Sequence, residues 1–462
     1  MEHITVKEIL EATGGTLLCG DVTTPLNHIS IDSRTMKGQD LFVPLVGEKV
    51  DAHRFIAQAF ESGAVATLTS EHDVEAVKAL EEKSDHPWIR VDDTKTALQA
   101  IGGYYRRKLD LPLVGITGSV GKTTTREMVA EALTAGFQVY RTPGNSNSQV
   151  GVPITLSEIT AEDQIGVIEL GMSEPGELTV IAKLAQIDAA VITNVGITHI
   201  EQLGSQENIY REKISIQDGL KAGGTLFLNA DDPLLAATEP REGFHKVTYG
   251  TAEGADYRAV DVHTEDGYPA FTAVHGEMEI PVRLHILGNH NVLNAMAALA
   301  VADTFHVPLK AAAKSLEGFT GFKNRQKIYD KDGIKIIDDT YNASPVSMKA
   351  GLDVLGTMKA ERKIAVLADM KELGPDSPRF HYEVGTYIGE HPINEVVVLG
   401  ELAKNIGQGV LDADKGITVH MFPETEREQM VEYLKNSLKS GDCVLFKGSN
   451  SMKLGEIAAM FI

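Results

Sequence analysis

Short apolar runs alternate along most of this chain with stretches in which apolar residues return every three or four positions. Leu111–Ile116, Gln164–Leu170, Ala189–Thr193 and Gly224–Leu228 are rich in Leu, Val and Ile, the composition of strands buried on both faces of a parallel sheet. Met128, Val129, Ala132 and Leu133 keep helical spacing until Gly136 offers a stop. From about 245 to 287 the pattern turns to alternation, which predicts hairpins with Asp266-Gly267 as a turn, before an alanine-rich helix over 295–302. A second series, Ile334–Ile337, Lys363–Ala368, Glu395–Leu399, Thr418–Phe422 and Cys443–Lys447, again alternates with helical segments. The first hundred residues mix a strand at Leu41–Leu45 with a helix carrying Phe55, Ala59 and Phe60, and Tyr104–Asp110, with Arg106, Arg107 and Lys108, reads as a polar linker. The pattern predicts an α/β protein of three domains: an α/β domain over 1–108, a P-loop ATPase-type parallel sheet over 109–320, and a Rossmann-like α/β domain over 321–462.

Between the first long run and its helix stands Gly115-Ile116-Thr117-Gly118-Ser119-Val120-Gly121-Lys122-Thr123-Thr124-Thr125. Strand, glycine loop and helix form the context of a phosphate-binding loop, in which backbone N–H groups and the helix N-terminus face phosphate oxygens. Lys122 would reach the β/γ-phosphates and Thr123 would ligate Mg²⁺. One position departs from the usual G-x-x-x-x-G-K-[ST] spelling, since Ile116 stands where its first glycine belongs. Two further strands end in Glu169 and in Asn194-Val195-Gly196-Ile197-Thr198-His199. Residues at the carboxyl ends of parallel strands line the ligand crevice, so Glu169 and His199 are expected beside Lys122. A carboxylate suits Mg²⁺, whereas a lone histidine is more often structural.

Composition limits the partners. With 43% hydrophobic and 23% charged residues the chain is neither disordered nor membrane-like, and no apolar run approaches the roughly 20 residues of a membrane helix. The N-terminal MEHITVKEILEATGG has no basic start or apolar signal core, so a cytoplasmic protein without membrane insertion is expected. A net charge of −22 argues against nonspecific nucleic-acid binding, and two distant cysteines, Cys19 and Cys443, argue against a disulfide framework.

Several stretches together resemble the Mur ligase family: the Gly115–Thr125 loop in the family's own spelling, Asp338-Asp339-Thr340-Tyr341-Asn342-Ala343-Ser344-Pro345, Val366–Gly374 and Val444–Ser449. The last three resemble the member that joins D-alanyl-D-alanine to a UDP-N-acetylmuramoyl tripeptide. The Asp-Asn-Pro-Arg signature of the sister that adds the third stem residue is absent from the C-terminal domain. The resemblance implies ATP-dependent amide synthesis through an acyl phosphate, in peptidoglycan precursor synthesis, by a monomer. It implies that the N-terminal domain holds the UDP-sugar through Ser33, Arg34, Phe42, Gly47, Asp51 and His53, with Asn145 and Asn147 also on the substrate. ATP would be held by Gly118, Gly121, Lys122, Thr123, Thr124, Asn291, Asn294, Arg325 and Asp339. Two Mg²⁺ ions would be held by Thr123, Glu169, His199 and a CO₂-derived carbamate on Lys213. Lys122, His199 and carbamylated Lys213 would serve catalysis, while Tyr341, Asn342 and Ser344 would face the dipeptide. Ser148, Ala52 and Asn450 depart from the family pattern, where asparagine, glycine and arginine are usual. The residues alone leave open a P-loop NTPase that drives motion, a nucleotide-gated binding module, another Mur-type ligase, or a folylpolyglutamate- or cyanophycin-type ligase.

Overall fold

The computed structural model describes residues 1–2, 4–72, 85–265, 267–322, 325–413 and 415–462. Its strands form three main sheets, and each accounts for one part of the chain. The first runs Thr16–Cys19, Trp88–Arg90, Ala64–Thr69, Asp40–Phe42, His28–Ser30, parallel except for its first pair. Apart from the six-residue Ala64–Thr69, these strands are too short to carry a period of their own.

The central sheet is nine strands wide among the described residues, in the order Met278–Arg283, Tyr268–His275, Tyr257–Glu265, His245–Gly250, Leu220–Asn229, Ile187–Ile192, Leu113–Thr117, Ile165–Glu169, Val139–Arg141. Its strands show why they read as continuous apolar runs. Val114 and Ile116 face one buried cluster with Met128, Val129, Leu133 and the Ala295–Ala302 segment, while Leu113 and Ile168 face another with Leu156, Ile181 and Ile209. Each such side chain contributes about 1.5–3 kcal/mol of burial. The alternating region departs from the run of hairpins that its pattern predicts. His245–Gly250 pairs in parallel with Leu220–Asn229, and only Tyr257–Glu265, Tyr268–His275 and Met278–Arg283 pair antiparallel, extending the same sheet. Asp266 of the expected turn lies outside the described residues.

The third sheet runs Lys327–Lys331, Ile334–Asp339, Asp442–Lys447, Arg362–Ala368, Glu395–Leu399, Thr418–Phe422, with only the first pair antiparallel. Ile197, Tyr268 and Leu287 of the central region pack into its core. No helix among the described residues is long and apolar enough to cross a membrane.

The expected polar linker over 104–110 is instead the end of a helix, Thr94–Lys108. Arg106 is 2% exposed, and it donates to the carbonyls of Ala185 (2.7 Å), Gln186 (3.0 Å), Leu109 (3.1 Å) and Leu111 (3.2 Å). A guanidinium is the side chain that can satisfy this many carbonyls from one position, and here it joins the first domain's last helix to the second domain. Arg106→Leu is expected to cost about 3 kcal/mol or more, because each carbonyl stranded in the interior carries its own desolvation penalty. A urea midpoint equal to the parent's would show that water replaces the guanidinium.

Candidate active site

The phosphate loop is built by two glycines at positions where a side chain would clash or strain the backbone. Gly118 has φ +148°, and a Cβ there would sit 1.9 Å from Thr193 Oγ1. Gly121 has φ +82° and precedes the helix Lys122–Leu133. Ile116 is buried in the strand, so the chain leaves the sheet only after Thr117 and the turn starts at Gly118. That accounts for the displaced glycine. The Ser119 and Val120 amides donate to Asn194 at 3.0 Å, so the free donors of this helix start are those from Gly121 to Thr124. Lys122 Nζ donates to Gly118 O at 2.9 Å. Burial pulls the Lys122 pKa down, the charge of Glu169 opposes this and that of Arg325 adds to it.

The loop forms one wall of a cleft of about 650 Å³ between the second and third sheets. The cleft brings together Lys122, Thr123, Thr124, Glu169, His199, Asn145, Asn147, Asn291, Asn294, Arg325, Asp339, Tyr341, Asn342 and Ser344 from widely separated segments. Glu169 is 1% exposed and accepts from Asn147 Nδ2 (2.8 Å) and Arg126 Nη1 (3.2 Å). Arg126, which also donates to Gly144 O at 2.8 Å, was not among the expected residues. Its place four positions after Lys122 on one helix was the available signal.

Asn291 and Asn294 are buried and do more than cap a helix. Asn291 Nδ2 donates to Leu287 O (2.7 Å), Asn294 Nδ2 to Asn291 Oδ1 (2.8 Å), and Thr125 Oγ1 to Asn294 Oδ1 (3.0 Å). This chain fixes Asn294 against the loop. From the third domain, Arg325 Nη2 donates to Thr123 Oγ1 at 2.9 Å, and its guanidinium lies 3.9 Å from the centre of the Tyr341 ring. Asp339 accepts from Lys447 Nζ at 2.8 Å, and Lys447 also donates to Asn342 O at 3.1 Å. Lys447 joins Lys122 and Arg325 as a cation of the cleft, and the sequence reading did not single it out. The Ser344 side chain caps the helix Pro345–Thr357, accepting from the Ser347 amide, so another helix N-terminus opens into the cleft.

His199 has a left-handed backbone (φ +64°), and its Nδ1 lies 2.6 Å from Glu372 Oε2 of the third domain. That pairing holds the Glu372 carboxyl below the usual carboxylate range. Lys213 departs most from expectation for its residue type. On the helix Gln206–Ile214 it is 2% exposed, so it is no surface charge; burial, and then the nearby charge of Lys122, push its pKa well below 10.5 against the opposing pull of Glu212.

The first-domain candidates lie outside this cleft. Arg34 is exposed and paired with Asp32 at 2.7 Å, as a solvated turn arginine would be. Phe42 is fully buried beside Ile56, Ala59 and Trp88, so its side chain belongs to the core and only its backbone is left for a ligand. Ser33 is buried, and Gly47 closes a turn by donating to Val50 O at 2.9 Å. Asp51 Oδ1 lies 2.6 Å from His53 Nδ1, while His53 Nε2 accepts from the Ser70 amide at 3.0 Å.

Among the described residues, no group of three or more His, Cys, Asp or Glu could hold a metal unaided. The donors at the phosphate end are instead mixed: the Thr123 hydroxyl, the Glu169 carboxylate and the His199 imidazole. Such a set fits a Mg²⁺ that takes its remaining ligands from phosphate and water.

Fold and cleft together define a protein whose phosphate loop faces a second α/β domain across the site. Family models described as Mur ligase family, catalytic domain, Mur ligase middle domain, and Mur ligase, glutamate ligase domain match residues 25–106, 116–302 and 324–450. The UDP-N-acetylmuramoyl-tripeptide–D-alanyl-D-alanine ligase of Bacillus subtilis is 38% identical over 98% of this chain and 97% of its own length. MurF from Acinetobacter baumannii superposes with a TM-score of 0.87 at 30% identity, covering 99% of this chain and 98% of that one. MurF from Thermotoga maritima in complex with ADP gives 0.81 at 28% identity, covering 94% and 97%. The chain belongs to the Mur ligase family, and these full-length relatives and structures are its D-alanyl-D-alanine-adding members.

Proposed function

We propose that this protein joins D-alanyl-D-alanine to the terminal carboxylate of a UDP-N-acetylmuramoyl tripeptide, using ATP, in peptidoglycan precursor synthesis. The observation that carries the reading is the cleft itself, which sets the phosphate loop of one domain against Asp339, Tyr341, Asn342 and Ser344 of another. A carboxylate resists amines because its leaving group would be oxide. Transfer of the γ-phosphoryl group to one carboxylate oxygen releases ADP and leaves an acyl phosphate. The dipeptide amine then forms the C–N bond, phosphate departs and the amine loses its proton.

This chain's residues serve mainly to position and neutralise. The Gly121–Thr124 amides and Lys122 hold the phosphates, and Asn291, Asn294, Arg325 and Asp339 hold the rest of the nucleotide. The helix starts at Lys122 and Pro345 face the anions from opposite walls. Thr123, Glu169 and His199 would hold Mg²⁺, which supplies charge neutralisation at the transferring phosphoryl group. A carbamate on Lys213 would serve a second ion. The UDP-sugar would lie on the first domain along Ser33, Arg34, the Phe42 backbone, Gly47, Asp51 and His53. ATP and a UDP-linked precursor are both cytoplasmic, and so is the expected site of action.

ADP release measured with UDP-muramoyl tripeptide, with and without D-alanyl-D-alanine, tests this. The ligase predicts turnover that requires the dipeptide. Phosphate release at the same rate without an acceptor would make the chain an NTPase of another kind.

A further inference from the structure

The phosphate loop is held by the turn that follows the neighbouring strand, Ile187–Ile192. Ser119 N donates to Asn194 O at 3.0 Å, and the Gly196 amide donates to Ser119 Oγ at 2.8 Å. Asn194 also grips Val120 twice: Val120 N donates to its Oδ1, and its Nδ2 donates to Val120 O, each at 3.0 Å. Those partners fix which end of the side-chain amide is oxygen, since an N–H must meet the acceptor and a carbonyl the donor. Thr193 Oγ1 gives Val120 O a further donor at 2.6 Å, and it is the same hydroxyl that leaves no room for a Cβ on Gly118.

That turn is held in its own place from the next strand along. Asn229, buried at the end of Leu220–Asn229, donates through Nδ2 to Thr193 O at 2.9 Å. Asp232 Oδ2 accepts from the Val195 amide at 2.7 Å, while its Oδ1 accepts from the Leu234 and Leu235 amides at 3.0 and 3.2 Å. The three strands lie side by side in the order Leu220–Asn229, Ile187–Ile192, Leu113–Thr117. Their carboxyl-end turns are bonded in the same order, and the phosphate loop is the last of the three. Ordering a glycine loop costs conformational entropy. Where contacts within the protein already hold the loop, that cost falls on folding and not on binding.

We propose that Asn194 is a positioning residue that holds the phosphate loop in its binding shape before the nucleotide arrives, so that Lys122 and the amides from Gly121 to Thr124 meet the phosphates without reordering. The proposal rests on the reading of this loop as the site of the ATP phosphates. It assigns Asn194 to nucleotide affinity and not to phosphoryl transfer, because both side-chain bonds run to Val120 and are present before and during transfer alike.

The test uses the full-length protein as Asn194→Ala, Asn194→Asp and Thr193→Val. Amide hydrogen exchange over residues 115–124 is followed by mass spectrometry without nucleotide and with saturating ADP, ADP binding by calorimetry, and the ATP KM and kcat in the ligation assay. Asn194→Asp keeps the side chain's shape but sets a carboxylate oxygen against Val120 O where Nδ2 stood, so a loss there reports the bond pattern and not the packing. Both Asn194 variants are expected to exchange the loop amides about 10-fold faster or more without ADP and to bind ADP about 10–100-fold more weakly. Their ATP KM should rise by a like factor, with kcat kept within about threefold. Saturating ADP is expected to restore loop protection in Asn194→Ala. Thr193→Val, which removes one donor to Val120 O and keeps the shape, is expected to lose about 3–10-fold in ADP affinity. Parental loop exchange in Asn194→Asp, or in Thr193→Val should the Asn194 variants not fold, would overturn the proposal, and so would a fall in kcat as large as the rise in KM. A parent that neither binds ADP nor gains loop protection from it would overturn the phosphate reading beneath. The two failures are separable, because loop order is read without nucleotide.

Discussion

Lys122→Ala is expected to give a protein that folds as its parent does and ligates slower by about 10²–10³-fold or more. The side chain does little packing: it is half-buried at the cleft wall, and among the described residues its ammonium donates to Gly118 O. Removing it therefore leaves the strand, the glycine turn and the helix in place, and the melting temperature should stay within a few degrees. The effect on chemistry is of another kind. Burial and the charge of Arg325 keep the Lys122 pKa low despite Glu169. The arriving phosphates favour the protonated form, so their binding draws a proton onto the amine or holds it there. The variant should then show weaker pH dependence of ATP binding than the parent across the alkaline range, with the parent losing affinity as pH rises and Lys122 deprotonates. Calorimetric titration of ATP between about pH 7 and 10 checks both statements. Normal turnover by the folded variant would remove the loop from the reaction.

What could be read before folding divides along physical lines. The phosphate loop was legible because strand, glycines and helix are local, and Glu169 and His199 followed from the rule that strand ends line the crevice. The long parallel strands were legible because double-sided burial leaves an unbroken apolar run. The first domain's strands are as short as two residues, Pro25–Leu26 for instance, and most set no period. Phe42 was placed on the ligand side because a resemblance names positions and not side-chain directions; the pleat turns it into the core. Arg106, in a run of three cations, looked solvated because composition does not reveal that carbonyls of Ala185 and Gln186 converge on it. Arg126, Lys447 and Glu372 were missed for a common reason. Each matters through a partner 43 or more residues distant in the chain: Glu169, Asp339 and His199.

The same blindness applied to Lys213, and there the largest remaining effect is expected. Its flanks, Arg211 and Glu212, mark a solvated helix, yet its own side chain is 2% exposed. A lysine whose pKa is held well below 10.5 has more of its neutral amine at a given pH than a solvated lysine has. A neutral amine is the form that reacts with CO₂: its lone pair forms the N–C bond, a proton leaves, and an anionic carbamate remains. Before the reaction, protonated Lys213 would be repelled by Lys122; afterwards the charge between them is attractive, and the carbamate is an oxygen ligand for a hard cation. Lys213→Ala is therefore expected to lose ligation by about 10²-fold or more, with partial recovery in formate or acetate, which can stand in the vacated space. Stability should move the other way. Between the lowered folded pKa and 10.5, the unfolded chain binds a proton at this lysine and the folded chain does not, so its burial costs stability that returns as pH rises toward 10.5. Lys213→Met removes that cost while filling the space, so in CO₂-free buffer near neutral pH it should unfold at a higher denaturant concentration than the parent, the gap closing as pH approaches 10. A Lys213→Ala protein with full activity in CO₂-free buffer would exclude the carbamate. A Lys213→Met protein less stable than the parent at neutral pH would show that the buried amine is a satisfied structural group.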